Sequence, residues 1–330
     1  MHDVDYLRPG TAREAVAMAA ATPGARYFAG GTTLYDLMKL GVEAPRTVID
    51  VTAIQDLRTV TRTAGGEIGI GALVTMSEAA GHPALAGKFP VLSEALSKAA
   101  SQQLRNMATI GGNLLQRTRC AYFRGGAEFP CNKRNPGSGC AAIGGLDRSH
   151  ALFGASAACI AVNPGDLPVA LTAFDAVVDV LGPHGARSIP IHALYLPPGT
   201  TPHREHALTP QELIVRIRVP HAQAARASTY HKIRDRESYA FALVSAAVGV
   251  HLQRGKVADA RIALGGVATT PWRARAAEQF LAGGALTRQR AQQAATLCFA
   301  DARPLQHNRF KIALGVATVA DALMLAKEKA

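Results

Sequence analysis

The sequence has 330 residues, 48% hydrophobic and 18% charged. That is enough apolar material for a buried core, suggests two domains at roughly 100 to 200 residues each, and excludes disordered and fibrous classes. Lys and Arg outnumber Asp and Glu by 36 to 24, a formal charge of +12, yet aromatics are only 5% and the one dense basic region lies around residues 117–134, so nucleic-acid binding is not expected.

The elements follow in chain order. Residues 11–22 read as an Ala-rich helix with Thr11 as N-cap and Glu14 at capping-box spacing, ended by Gly24. Arg46–Val51 and the alternating run Glu67–Thr75 predict strands, and Val91–Leu104 a helix. After a cysteine-bearing loop, Leu167–Asp175 predicts a helix, and Val177–Val180 a strand leading into a Pro183-His184-Gly185 turn. Residues 196–210, rich in proline, predict a loop, and the alternating Leu213–Val219 a strand closed by Pro220, with a domain boundary near 222. Ser228–Arg234, the apolar Tyr239–Val250, a strand over Ala260–Val267 and helices over Arg273–Leu281 and Thr287–Cys298 complete an α+β pattern without internal repeats. Tyr239–Val250 falls well short of the roughly 20 residues of a membrane-crossing helix. Met1-His2-Asp3-Val4-Asp5 lacks the basic and apolar regions of a secretory signal, so no membrane span and no export signal are expected.

Four of the five cysteines, Cys120, Cys131, Cys140 and Cys159, fall close together, and Cys298 stands alone in a segment that reads as core. An odd count without a secretory signal argues against a disulfide framework. No CxxC spacing occurs, which weakens a zinc reading without excluding it. Four thiolates on a glycine-rich loop flanked by Arg117, Arg119, Arg124, Lys133 and Arg134 suit an iron–sulfur cluster, an anion that cations and backbone amides stabilise. The alternative is a set of buried, inert thiols.

Several common site motifs are absent. Gly69-Ile70-Gly71-Ala72-Leu73-Val74 begins like a dinucleotide fingerprint but lacks its third glycine, and no P-loop, HExxH or GxSxG occurs. His203-Arg204-Glu205-His206 reads as a solvated turn. Two glycine pairs remain. Tyr27-Phe28-Ala29-Gly30-Gly31-Thr32-Thr33-Leu34 runs into helical spacing, so free amides and the Thr hydroxyls are expected to face an anion. Thr109-Ile110-Gly111-Gly112-Asn113 repeats the pattern with an amide side chain beside it. Either alone reads as a tight turn.

Together, the two loops resemble the FAD-pyrophosphate loops of the flavoprotein subunits of molybdenum hydroxylases, the xanthine dehydrogenase and carbon monoxide dehydrogenase family. Gly165–Leu171, Tyr230–Arg234 and Leu264–Arg273 are similar to further segments of that family, in family order and over nearly the whole chain. The Cys120–Cys159 segment is an insertion similar to the branch with a 4Fe-4S cluster, and Gln116–Arg124 resembles periplasmic aldehyde oxidoreductases most.

The resemblance implies an α+β fold: a two-subdomain FAD-binding domain of the PCMH or vanillyl-alcohol-oxidase-like type over residues 1–222 (subdomains about 1–55 and 56–222, the cluster insertion about 117–160). A smaller C-terminal domain of the CO dehydrogenase flavoprotein type follows over 226–330. FAD would be held by Tyr27 to Leu34, Thr109, Gly111, Gly112, Asn113, Asp166 and Lys232, and a 4Fe-4S cluster by Cys120, Cys131, Cys140 and Cys159. Asp166, before Leu-Pro, could equally cap a helix. The family further implies a heterotrimer with a molybdenum-cofactor large subunit and a 2Fe-2S small subunit. This chain would pass electrons from its partner's clusters to FAD and on to an external acceptor, and would itself contain no catalytic residue for substrate oxidation. A self-contained FAD oxidase or reductase and a zinc-stabilised binding module are the alternatives. Location is cytoplasmic, or periplasmic by co-export with a partner bearing a twin-arginine signal.

Overall fold

The computed structural model describes residues 3–330. Strands β1 (Asp5–Leu7), β2 (Arg26–Phe28) and β3 (Thr47–Asp50) form a parallel sheet in the order β1-β3-β2. The helix Ala12–Ala21 crosses between β1 and β2, which run parallel on either side of β3, as parallel strands of one sheet require. Thr11 and Glu14 complete the capping box read from the sequence, and Ala15, Val16 and Ala19 turn inward. The central strand β3 is buried along its whole length.

The second sheet is antiparallel, with β4 (Val60–Arg62), β5 (Ile68–Gly71), β6 (Val177–Gly182), β7 (Gly185–Pro190) and β8 (Leu213–Val219) in the order β4-β5-β8-β6-β7. Between β5 and β6 the chain runs through short helices and the cysteine loop. The strand expected over Glu67–Thr75 is limited to β5, because the next residues turn away to place Thr75 as the cap of Met76–Gly81.

The third sheet is β12-β11-β10-β9, from β9 (Ser228–Ile233), β10 (Val244–Gln253), β11 (Lys256–Gly265) and β12 (Trp272–Arg273). The helix Phe310–Glu328, absent from the sequence reading, joins the core of this sheet through Val319, Ala320, Leu323 and Ala326. Gly315 lets it approach the Phe299 ring, where a Cβ would sit 2.1 Å from Cζ.

Two further departures matter for the site. The helix expected over Val91–Leu104 is two helices, Pro90–Ser97 and Gln102–Met107, broken where Ala100 takes a positive φ of 48° and Ser101 caps the second. The end of the cysteine loop is tied to the third sheet: the Leu152 amide donates to the Val267 carbonyl at 2.7 Å, and Phe153 stacks on Trp272. No helix among the described residues is long and apolar enough to cross a membrane.

Candidate cofactor site

Both glycine loops open into one cavity of about 1370 Å³. The first packs against the backbone just before the second: a Cβ on Gly30 would sit 1.9 Å from the Met107 carbonyl oxygen, so only glycine permits this approach. Gly31 has φ +70° and lies over the Phe28 ring, so it meets both a conformational and a steric demand. The amides of Gly31, Thr32 and Thr33 have no partner among the described residues, while the Gly31 and Thr33 carbonyls accept from Tyr35 and Leu37 in the helix Leu34–Lys39. The first loop is thus a row of free donors facing the cavity.

The second loop differs. The Ile110 and Gly111 amides donate to the Val74 and Ala72 carbonyls, and the Gly112 amide to Thr109 Oγ1 at 3.3 Å. What it offers is the Asn113 side chain: Oδ1 is buried without a partner, and Nδ2 meets only the Met76 sulfur, at 3.4 Å. A buried, unpaired amide oxygen on a cavity wall calls for a donor from a ligand.

Asp166 and Lys232, far apart in sequence, meet on the same wall. Lys232 Nζ donates to Asp166 Oδ2 at 2.8 Å and to the Lys98 carbonyl at 3.0 Å, and Tyr230 Oη donates to Asp166 Oδ1 at 2.6 Å. The helix break near Ala100 is what leaves the Lys98 carbonyl free for Lys232 and for Arg234 Nη1. Asp166 stands at the N-cap position of the helix Leu167–Ala173, but its side chain makes no capping hydrogen bond there. Burial pushes its carboxyl up, and Lys232 and Tyr230 pull against that shift.

All the loop and wall residues named from the sequence line the cavity except Phe28, which packs behind Gly31 instead. Sequence reasoning missed two walls: residues 203–214, within and beyond the proline-rich loop, and the turn holding Asp235, Arg236, Tyr239 and Phe241. His206 and Glu205, read as a solvated turn, are largely enclosed. Burial pushes His206 down to about 4, and although burial opposes the Glu205 carboxylate, Lys133 and Arg117 outweigh it and hold it below its usual range.

The cysteine loop shares this wall. Arg117, Arg119 and Arg124 line the cavity and tie it to the first loop's surroundings, Arg117 to Glu43 and Glu205, Arg119 and Arg124 to Asp36. Among the described residues no three His, Cys, Asp or Glu side chains converge closely enough to grip a single ion. The four cysteines nevertheless share one neighbourhood: Cys131 and Cys140 pair across a β-bridge, Cys120 feels the charge of Cys131 and Cys159, and Cys159 that of Cys140 and Cys131. Burial pushes the Cys120 thiol up to about 11 and the Cys159 thiol in the same direction, the latter opposed by Lys133. Cys298 lies apart, buried in the core beneath the third sheet.

This geometry has close counterparts. Residues 2–222 match the FAD-binding domain in molybdopterin dehydrogenase, and residues 228–322 match the CO dehydrogenase flavoprotein C-terminal domain. The chain belongs to the FAD-binding subunits of the molybdenum hydroxylase family. It is an oxidoreductase subunit with an FAD-binding domain, and the α+β expectation holds. The aldehyde oxidoreductase FAD-binding subunit PaoB of Escherichia coli (strain K12) is 47% identical over 326 residues, covering 98% of each chain. The carbon monoxide dehydrogenase medium chain of Afipia carboxidovorans is 29% identical over 92% of this chain and 88% of its own. Among solved structures, carbon monoxide dehydrogenase from Hydrogenophaga pseudoflava superposes with a TM-score of 0.77 at 28% identity, over 99% of this chain and 98% of that one. The cavity residues suit FAD: free loop amides and Thr hydroxyls for phosphate oxygens, an unpaired Asn113 oxygen for a donor, and a buried ion pair on the cavity wall.

Proposed function

We propose that this chain is the FAD- and 4Fe-4S-carrying electron-transfer subunit of a heterotrimeric, molybdenum-dependent aldehyde oxidoreductase. The single observation that carries this reading is the shared wall: Arg117, Arg119 and Arg124, flanking Cys120, bound the same cavity as both glycine loops. The 47% identity to an aldehyde oxidoreductase FAD-binding subunit supports the substrate class.

In this reading residues 1–222 are the FAD-binding domain, with subdomains about 1–55 and 56–222 and the cluster insertion about 117–160, and residues 226–330 the C-terminal domain. Gly30, Gly31, Thr32 and Thr33 hold pyrophosphate oxygens through backbone amides and hydroxyls, flanked by Tyr27, Ala29 and Leu34. Thr109, Gly111, Gly112 and Asn113 line the adjoining wall, with Asn113 Oδ1 taking a hydrogen bond from the cofactor. Asp166 and Lys232 fix the far wall, where Lys232 keeps a positive charge in place and Tyr230 holds the carboxylate that orients it. Cys120, Cys131, Cys140 and Cys159 hold the cluster as thiolates, and binding it releases their protons. When bound, the flavin supplies a two-electron store and the cluster a one-electron centre. Substrate oxidation belongs to a molybdenum-cofactor large subunit, electrons arrive through a 2Fe-2S small subunit, and they leave to an external acceptor. The complex works in the periplasm if a partner carries a twin-arginine signal, and in the cytoplasm otherwise.

The test is spectroscopic. The chain expressed alone should carry flavin bands over a broad iron–sulfur background, with about four iron and four sulfide per chain, and should stay oxidised with aldehyde until its partners are added. Bleaching of the lone chain by aldehyde would make it a self-contained oxidase; zinc without sulfide would remove the cluster.

A further inference from the structure

Cys120 has a close neighbour of a kind not seen at the other three cysteines. His150 Nε2 lies 3.2 Å from Cys120 Sγ, and the His150 side chain is buried at 2% exposure. Its other ring nitrogen, Nδ1, has no hydrogen-bond partner among the described residues. The sulfur is therefore the ring's one hydrogen-bond contact among them.

The backbone beneath that ring is clamped. The His150 carbonyl accepts from Asn308 Nδ2 and from Lys311 Nζ, each at 3.2 Å, and both side chains are fully buried. Three residues earlier, Asp147 accepts from the backbone amides of His307 and Gln306. Lys311 makes no ion pair among the described residues; its ammonium meets only the carbonyls of His150 and Gly266. Burying an ammonium on two carbonyls is costly, and burial pushes Lys311 down to about 8. The start of the last helix thus brings two buried donors to one carbonyl, that of the residue touching Cys120. Beside it, a cavity of about 60 Å³ has Cys120, His150, Ser149, Asn163, Asp166 and Ser245 among its lining residues. That is room for ordered water, and it reaches from the cysteine to the carboxylate on the wall of the cofactor cavity.

We propose that His150 is a positioning residue for the iron–sulfur centre, its Nε2–H donating to the Cys120 sulfur while Asn308 and Lys311 hold it there, so that this bond helps set the centre's reduction potential. The inference rests on the reading of Cys120 as a cluster ligand. A ligating thiolate can only accept a hydrogen bond, which fixes the imidazole as the Nε2–H tautomer. A donor on a ligand sulfur withdraws charge and stabilises the more negative, reduced centre, which raises the potential.

The experiment uses the purified heterotrimer carrying His150→Leu, His150→Gln or Asn308→Ala, with iron and sulfide analysis and an EPR-monitored redox titration. His150→Leu should keep iron and sulfide and shift the midpoint to more negative potential. His150→Gln, which retains an N–H donor, should return most of that shift, and Asn308→Ala, which leaves the imidazole in place, should give a smaller shift of the same sign. An unchanged midpoint in His150→Leu, or an equal shift in the Gln and Leu variants, overturns the proposal. If His150→Leu loses its iron, Asn308→Ala decides, and a wild-type midpoint there overturns it. Failure of the cluster reading is seen separately: the unmutated chain expressed alone, without the 2Fe-2S subunit, would contain no acid-labile sulfide, and the proposal would fall with it.

Discussion

Replacing Lys232 by Met keeps the side chain's bulk and removes the only cation that hydrogen-bonds the Asp166 carboxylate among the described residues. The Lys232 and Asp166 side chains are 1% and 6% exposed and 2.8 Å apart. Breaking a buried pair by deleting one partner typically costs about 3–5 kcal/mol, because the remaining charge stays buried. With about 2.1 cal/mol/K of unfolding entropy per residue over 330 residues, roughly 0.7 kcal/mol/K in all, that corresponds to a loss of about 4–7 °C in Tm. The pH dependence has a definite sign. Burial already raises the Asp166 carboxyl, and removing the ammonium takes away the largest opposing influence. In the variant the folded chain therefore keeps the Asp166 proton to a higher pH than the unfolded chain does. Stability is fully retained below the unfolded value of about 4 and is lost as pH rises through the raised folded value. Thermal unfolding followed by circular dichroism at several pH values measures this. The deficit should be largest at neutral pH, shrink toward pH about 4, and be mostly recovered in Lys232→Met with Asp166→Asn, which leaves no charge to bury. A double variant as unstable as the sum of its singles would refute the coupling.

Gly31→Val should lose FAD and soften the first loop even without cofactor, since φ +70° and a Cβ 2.7 Å from Phe28 Cζ both oppose it; Gly112→Ala, whose nearest neighbour is Thr109 Oγ1 at 3.1 Å, should lose less, and flavin-to-protein ratios compare them. Ser at Cys120, Cys131, Cys140 or Cys159 should cut iron and sulfide, whereas Cys298→Ser should leave both unchanged, as metal analysis will show. Because Arg117, Arg119 and Arg124 belong to both the cysteine loop and the cavity wall, the four Ser variants should also release FAD more readily in a flavin-fluorescence titration; wild-type retention in all four would separate the two sites.

What could be read from the sequence and what could not follows from how local each signal is. Thr11 with Glu14, and a glycine pair followed by threonines, are contiguous patterns, and the chain folds there as the pattern dictates. Phe28 belongs to the first loop in sequence, but the positive φ of Gly31 turns the chain over its ring, so adjacency in sequence placed it in the lining when packing places it behind. The two loops look alike in sequence and behave differently because the neighbours of the second, Ala72 and Val74, take up its amides across a contact no local pattern encodes. The helix Phe310–Glu328 went unread for a related reason. Arg309 at its start is already in the helical region and makes no side-chain cap, and its apolar residues run round the helix instead of along one stripe.

The break in the expected Val91–Leu104 helix links local sequence to the site. Nothing forces a helix to stop at Lys98; continued, it would direct that carbonyl into the next turn. Instead Ala100 adopts φ 48°, Ser101 starts a new helix, and the Lys98 carbonyl turns to Lys232 and Arg234 across more than a hundred residues of sequence. A non-glycine residue at positive φ carries a strain of about 1–3 kcal/mol. The two hydrogen bonds to cationic donors that it permits are each worth about 1.5–3 kcal/mol, so the break is favoured only once β9 has brought those donors into place. The Asp166–Lys232 wall is for that reason a product of the third sheet packing on the first half of the chain, and a segment containing only the glycine loops would lack it.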